Sequence, residues 1–328
     1  MKHPIEIKPV SLVCALLLAA LALPAPAQTF PNRTLRILVT VTPGGAPSLT
    51  ANLLAEQMGP ALGQSVIVEH KPGGNGIPAV LDVMNAPADG HTLISLTNDQ
   101  WGVGPALSAE ELPYDTLRDL APIGTVYRST QVIVVNSSVP ARDLKELIAL
   151  ARAKPGMQYG FGSNVHQLIM ESFRAGVGID IQSIPYKGTS QAITALLAGD
   201  IPIACSGLNN VMAAVQAGKL RILASTGATR TPQNPEIPTV TEAAGLPGFS
   251  FVGQVGLFTR AGVPKPAIDK LVAAYRRAVS NPDVIARAFK GGASIDPSTP
   301  EELAEAVRGD AGRYVQAVKA AGLTPKRK

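Results

Sequence analysis

The chain has 328 residues, and 29 Lys+Arg against 24 Asp+Glu give it a formal net charge of +5. That charge is thinly spread, with no dense basic run before the terminal Lys326-Arg327-Lys328, which argues against nucleic acid as a partner. The 2 cysteines, Cys14 and Cys205, exclude a disulfide framework, so the fold must rest on its core.

At the N-terminus Lys2, His3 and Lys8 precede an apolar run from Val10 to Leu23, and Ala25-Pro26-Ala27 follows it. A basic head, an apolar stretch and an A-x-A site read as a secretory signal cleaved after Ala27. The run is shorter than the roughly 20 residues a bilayer-spanning helix needs. Removing residues 1–27 takes away Lys2, Lys8 and Glu6 and lowers the net charge by one. The mature chain, about 300 residues, suits two domains, and its expected location is the periplasm. Cys205, within the apolar Ile201-Pro202-Ile203-Ala204-Cys205, reads as a small buried hydrophobe.

Short β-branched runs alternate with helical patterns, which predicts an α/β fold with mostly parallel strands. The expected strands cover 35–41, 65–69, 92–97, 131–136, 181–185, 201–205, 221–226 and 253–258. A helix over 48–62 carries Leu49, Leu53, Leu54, Met58 and Leu62 on one face, and others are expected over 141–153 and 189–198. Ala267–Val279 is helical, with Ile268, Leu271, Val272, Tyr275 and Val279 in one stripe. Thr299-Pro300-Glu301-Glu302 opens a last helix as an N-cap, a first-turn proline and an acid three residues on. That helix is expected to turn Leu303, Val307, Tyr314, Val315 and Val318 inward. No flexible linker divides the chain, so it is expected to cross between domains along ordered strands, at 131–136 and 253–258. The domains would then be 28–130 plus 253–328, and 131–252.

The most informative motif is Pro43-Gly44-Gly45-Ala46-Pro47-Ser48, set between a strand and a helix. Glycines allow close backbone approach, a proline suits the first helical turn, and the free N–H groups there attract anions. An ordinary tight turn has the same composition. Gly74-Asn75-Gly76-Ile77-Pro78-Ala79 matches the dinucleotide pattern G-x-G-x-x-A, with Asp99 at a strand end further on. Against that reading, Pro72 precedes the loop, Pro78 is expected to interrupt any helix start, and an exported protein has little access to NAD. A second small-residue loop, Gly160-Phe161-Gly162-Ser163-Asn164-Val165-His166, could grip a polar ligand, with a helix starting near His166. Asn98 and Asp99 end a strand, and Trp101 beyond them could lie on a ligand or pack on a domain surface. His70, His91 and His166 stand at no metal-ligand spacing, and no catalytic signature such as G-x-S-x-G occurs.

Several phrases carry a family resemblance. They are Leu35-Arg36-Ile37-Leu38-Val39 leading to Pro43-Gly44-Gly45, then Gly63-Gln64-Ser65-Val66-Ile67-Val68-Glu69 with Lys71-Pro72-Gly73-Gly74, and Ala88-Asp89-Gly90-His91-Thr92-Leu93. Leu112-Pro113-Tyr114-Asp115, Ile184-Pro185-Tyr186-Lys187-Gly188, Ala217-Gly218-Lys219-Leu220-Arg221 and Ile237-Pro238-Thr239-Val240-Thr241-Glu242-Ala243 continue the series. In this order the chain resembles the Bug-type receptors, the substrate-binding proteins of tripartite tricarboxylate transporters. The resemblance implies a type II periplasmic-binding-protein clamshell with a ligand between two α/β domains. It implies a small carboxylate ligand and, as partners, one large and one small membrane subunit of a transporter; a monomeric receptor with no cofactor and no catalysis is expected. Carried over, the ligand residues are Gly44, Gly45, Ala46, Pro47 and Ser48 of the first loop, with Asn98. From the second domain come Gly162, Ser163 and Asn164, and the segment with Tyr186, Gly188 and Thr189.

The chain departs from the family where specificity is set. The family's first loop continues as Thr-Asp where this chain has Pro47 and Ser48, its second loop is longer, and an aromatic is replaced near Val252-Gly253-Gln254. Two other readings stay open: a receptor that docks on a signalling protein, and a secreted hydrolase using Ser163 and His166.

Overall fold

The computed structural model describes residues 30–108, 112–231, 234–290 and 293–324. The signal peptide expected over 1–27 lies outside these residues. β1 (Leu35–Val39) leads through the glycine loop to α1 (Ala46–Leu62). β2 (Val66–His70) leads to α2 (Ile77–Asn85), and β3 (Thr92–Thr97) to a π-type turn over Asp99–Val103. α3 (Gly104–Leu107) and α4 (Thr116–Asp119) follow, and then β4 (Leu120–Asn136). The second half holds α5 (Leu144–Ala153), β5 (Met157–Phe161), α6 (Asn164–Val177), β6 (Ile181–Pro185) and α7 (Thr189–Ala198). It continues with β7 (Ile203–Gly207), α8 (Leu208–Gln216), β8 (Leu220–Ser225) and α9 (Val240–Ala244). β9 (Val252–Arg260) returns to the first half, where α10 (Lys265–Val279), α11 (Pro282–Lys290), β10 (Ser294–Ile295) and α12 (Pro300–Ala320) complete the chain.

The strands form one continuous sheet in the order β2-β1-β3-β9-β4-β7-β5-β6, with β8 and β10 also on β4. β2, β1 and β3 are mutually parallel, as are β7, β5 and β6. β4 joins the two sets. It pairs with β9 as far as Thr130↔Val252, and from Gln131↔Gly207 onward its partner is β7. The expected strand over 131–136 is thus the end of one 17-residue strand, whose first half lacks the apolar alternation that would have marked it.

Each half has its own apolar layers. Leu35, Ile37, Leu53, Met58, Leu257 and Tyr275 pack in the first, and Ile133, Leu147, Tyr159, Phe173 and Ile203 in the second. α12 serves both, with Leu303 and Val307 beside Trp101 and Phe258 and Tyr314 and Val318 in the core of the second half. Its Val315 corrects the inward assignment, because that side chain is 55% exposed. The helix rotates by about 100° per residue, so neighbours of a buried Tyr314 turn outward.

Local signals explain the helix starts. Asp143 and Ser163 accept from N–H groups as N-caps of α5 and α6, and Thr239 and Thr299 form capping boxes with Glu242 and Glu302. Pro78 does not block a helix, because it sits in the first turn of α2, where its missing N–H is not needed. Cys205 is fully buried and burial pushes its thiol well above the ordinary range, in keeping with a packing role.

Candidate ligand-binding site

The parallel strands of each half end at a common edge, the position where open α/β sheets bind ligands. After β1 the chain turns at Gly44, whose φ of +106° lies in the region that glycine alone adopts readily. Gly45 is the N-cap of α1 with extended backbone, no side chain caps the helix, and its first turn holds no acid. The N–H groups of this turn and the positive end of the helix dipole are therefore not met by a side-chain cap or an acid of the turn itself. Gly44 is exposed and Gly45, Ala46 and Pro47 are half-buried, while Ser48 is only 4% exposed. The Ser48 hydroxyl lies 3.2 Å from His70 Nε2, and His70 Nδ1 lies 2.9 Å from the Val41 carbonyl. His70 thus braces the two ends of this loop.

In the second half, Ser163 caps α6, its Oγ accepting from the His166 N–H at 3.3 Å. Gly188 is the N-cap of α7 with extended backbone and, like Gly45, offers no side-chain cap and no first-turn acid. The two loops touch: a Cβ placed on Gly162 would fall inside 3.0 Å of the Gly188 carbonyl and the Thr189 nitrogen. The ring of Tyr186 would lie 3.1 Å from a Cβ on Gly160. Gly162, Ser163, Asn164, Tyr186, Gly188 and Thr189 are therefore gathered into one cluster. A third helix, α8, begins at the same edge after Gly207 and places Asn209 and Asn210 on the surface. Sequence reading missed it, although a glycine closing an apolar strand was the signal used for the other two loops.

Between the halves, polar side chains are drawn into the crossing. Asn98 donates to the Val252 carbonyl at 2.9 Å and to the Tyr314 hydroxyl at 2.7 Å, and it accepts from the Gln254 N–H at 3.2 Å. With 2% exposure its side chain holds three segments together. Asp99 faces the start of α6. Burial pushes its carboxyl up to about 6, against the opposing pull of the Asn164 side-chain amide and backbone N–H. Its Oδ1 is buried without a partner.

His166 Nε2 meets Gln131 Oε1 at 2.9 Å, and burial pushes the imidazole down to about 4, so the ring is neutral and Nε2 carries its proton. Gln131 in turn donates to the Ser129 hydroxyl at 2.8 Å. The His166 imidazole is thus tied to β4, and Ser163 Oγ meets only the His166 backbone N–H, which gives no support to a Ser–His pair. Trp101 is buried, against the surface position that is commoner for a lone tryptophan. Its Nε1–H donates to Asp310 at 2.9 Å and its ring meets the edge of Phe258.

Two surface grooves lie elsewhere. One of about 620 Å³ runs between α5, α6 and α9 and is lined by Lys145, Arg152 and Leu246. The other, about 460 Å³, lies beside Phe30 and α10. Neither contains a residue of the loop cluster. Among the described residues no group of three or more His, Cys, Asp or Glu is placed to hold a metal ion, and no helix is long and apolar enough to cross a membrane.

Relatives share this architecture along nearly their whole length. Protein BugT of Bordetella pertussis (strain Tohama I) is 29% identical over 313 residues, 94% of this chain and 95% of BugT. A structure of R. palustris Rpa4515 with adipate superposes with a TM-score of 0.84 at 26% identity, covering 90% of this chain and 100% of that one. MatC (Rpa3494) from Rhodopseudomonas palustris with bound malate gives a TM-score of 0.79 at 29% identity, covering 88% of this chain and all of the other. A structure of periplasmic binding protein BugD superposes with a TM-score of 0.79 at 26% identity over 90% of this chain and 100% of that one, which establishes the type II periplasmic-binding-protein clamshell as the fold. The family model for the tripartite tricarboxylate transporter family receptor matches residues 50–323, and the chain belongs to that family.

Proposed function

We propose that this chain is an extracytoplasmic receptor that captures a small organic acid between its two halves and delivers it to the membrane subunits of a tripartite tricarboxylate transporter. The observation that carries the reading is the pair of uncapped helix starts, α1 at Gly45 and α7 at Gly188. One lies in each half, both stand at strand ends, and neither has an acid in its first turn. Such ends hold carboxylates through backbone N–H groups, and a charge-assisted bond is roughly twice as strong as a neutral one. Solved relatives carrying adipate and malate support the same ligand class.

In this reading the ligand residues are Gly44, Gly45, Ala46, Pro47, Ser48, Gly162, Ser163, Asn164, Tyr186, Gly188 and Thr189. Asn98 serves from behind, through the crossing it secures. The domains are 28–130 plus 253–328, and 131–252, in line with the change of β4's partner between Thr130 and Gln131. The receptor is exported by a signal cleaved after Ala27, works in the periplasm as a monomer, and needs no cofactor.

The test is a thermal-shift screen of mono-, di- and aromatic carboxylates beside matched neutral solutes. A ligand held only by the folded state adds about 2.7 kcal/mol at a hundredfold excess over its Kd. Stabilisation by one or a few acids is the expected result. If only neutral solutes stabilise the protein, the ligand class is wrong.

A further inference from the structure

The bond chain under the first loop contains more information than its two distances. The Val41 carbonyl can only accept, so His70 Nδ1, 2.9 Å away, must carry a proton. A neutral imidazole has one N–H, so Nε2 is then a bare acceptor, and the Ser48 hydroxyl at 3.2 Å must donate to it. Ser48 has spent its only proton and can offer a bound molecule nothing but lone pairs. A ligand hydroxyl or ammonium suits that; a carboxylate oxygen does not.

Protonation of His70 reverses this. Nδ1–H still donates to Val41, while Nε2 becomes a donor to Ser48 Oγ, and the hydroxyl proton is released for another acceptor. A positive charge also appears beside the uncapped first turn of α1, where it adds to the field of the helix. We propose that His70 is a positioning residue of the binding site that sets the polarity of Ser48, so that anionic ligands are held more tightly when it is protonated. The proposal deepens the carboxylate reading and rests on it.

The charged groups around the imidazole do not cancel this effect. Lys71, the next residue, has its ammonium engaged by Asp82. Glu69, on the alternate face of β2, pairs with Arg36 at 3.4 Å, and α1 brings no acid in its first turn. One other group on the edge of the cleft changes charge with pH. Asp99, raised to about 6 by burial, loses a negative charge in acid and also favours anions. The pH dependence of the wild-type protein alone is therefore not diagnostic, and the comparison with a variant is.

The experiment measures the Kd for malate by calorimetry at pH 8 and pH 6 in the mature wild-type protein and in His70→Asn. Asparagine keeps an N–H near the Nδ1 position but cannot take up a proton. The wild type is expected to tighten between pH 8 and pH 6 by roughly fivefold to tenfold more than the variant, the worth of one bond becoming charge-assisted. Equal tightening in both proteins overturns the proposal.

Nitrogen-15 NMR of the ligand-free wild type supplies an independent readout. An Nδ1–H tautomer of His70 at pH 8 supports the proposal, and an Nε2–H tautomer overturns it whether or not the variant folds. Failure of the wild type to bind any carboxylate at either pH sinks the carboxylate reading and with it the affinity change. The tautomer still decides the polarity of Ser48 in that case.

Discussion

Two glycines of the second-half cluster should respond in opposite ways to the same methyl group. Gly162 has no room for it: a Cβ there would fall inside 3.0 Å of the Gly188 carbonyl carbon and oxygen and of the Thr189 nitrogen. These are backbone atoms at the start of α7, and they cannot swing aside as a side chain can. Gly188 has nothing within 4 Å of its Cβ position, and its φ of −177° is extended backbone that any residue adopts. Gly162→Ala must therefore push the α6 and α7 starts apart. Overpacking of this kind costs about 1–3 kcal/mol, whereas Gly188→Ala should stay within about 0.5 kcal/mol of wild type.

Urea denaturation of both variants reads the difference directly. Ligand affinity should separate them less cleanly, because a methyl on Gly188 stands at the proposed ligand position. If Gly162→Ala is as stable as wild type, or Gly188→Ala loses as much, the close contact between the two loops is not what the geometry says.

Other expectations follow from the crossing. Gln131→Leu leaves the buried Nε2–H of His166 without an acceptor and should cost about 1–3 kcal/mol in chemical denaturation. Ser163→Ala removes the N-cap of α6 and should lower stability by about 1 kcal/mol. Trp101→Phe keeps the ring but strips Asp310 of its indole donor, and should cost about 1–3 kcal/mol with the fold intact by circular dichroism. For pH, the folded Asp99 sits at about 6 against 3.8, so its ionisation costs stability as pH rises from about 4 to 6, and Asp99→Asn should gain in that window. His166, lowered to about 4 from 6.5, loses stability as pH falls through the same interval, so the two groups oppose each other there and Asp99→Asn should fall more steeply toward acid than wild type.

Much of the fold was legible because its signals are local. β3 and β6 follow from β-branched runs bounded by turn residues, and α10 and α12 from an apolar stripe with a cap or a proline at the start. β5, Met157–Phe161, escaped because Gln158 and Gly160 break the pattern, and it is held in place by its neighbours β6 and β7. The glycine loops were legible as strand–helix junctions for the same reason, since such junctions are written in adjacent residues. The roles of Asn98, His70 and Trp101 were not. Their partners are Val252 and Tyr314, Ser48 and Val41, and Asp310, and no pattern in one sequence announces a partner more than 150 residues away, as for Asn98, or the tautomer that a carbonyl imposes.

That distribution says something about how the two halves can move. Any rotation between them must pass through β4 and β9 at Thr130–Gln131 and Val252, and through α12, which packs on both sides. The polar groups there are buried and bonded: Asn98 to Val252, Gln254 and Tyr314, and Gln131 to His166. Breaking one without replacement costs about 1–3 kcal/mol, so opening has to proceed by twisting strands that keep these bonds. Among the described residues there, Asp99 Oδ1 at the start of α6 and His166 Nδ1 are buried without a partner. A ligand closes such a clamshell only by binding the closed state better than the open one.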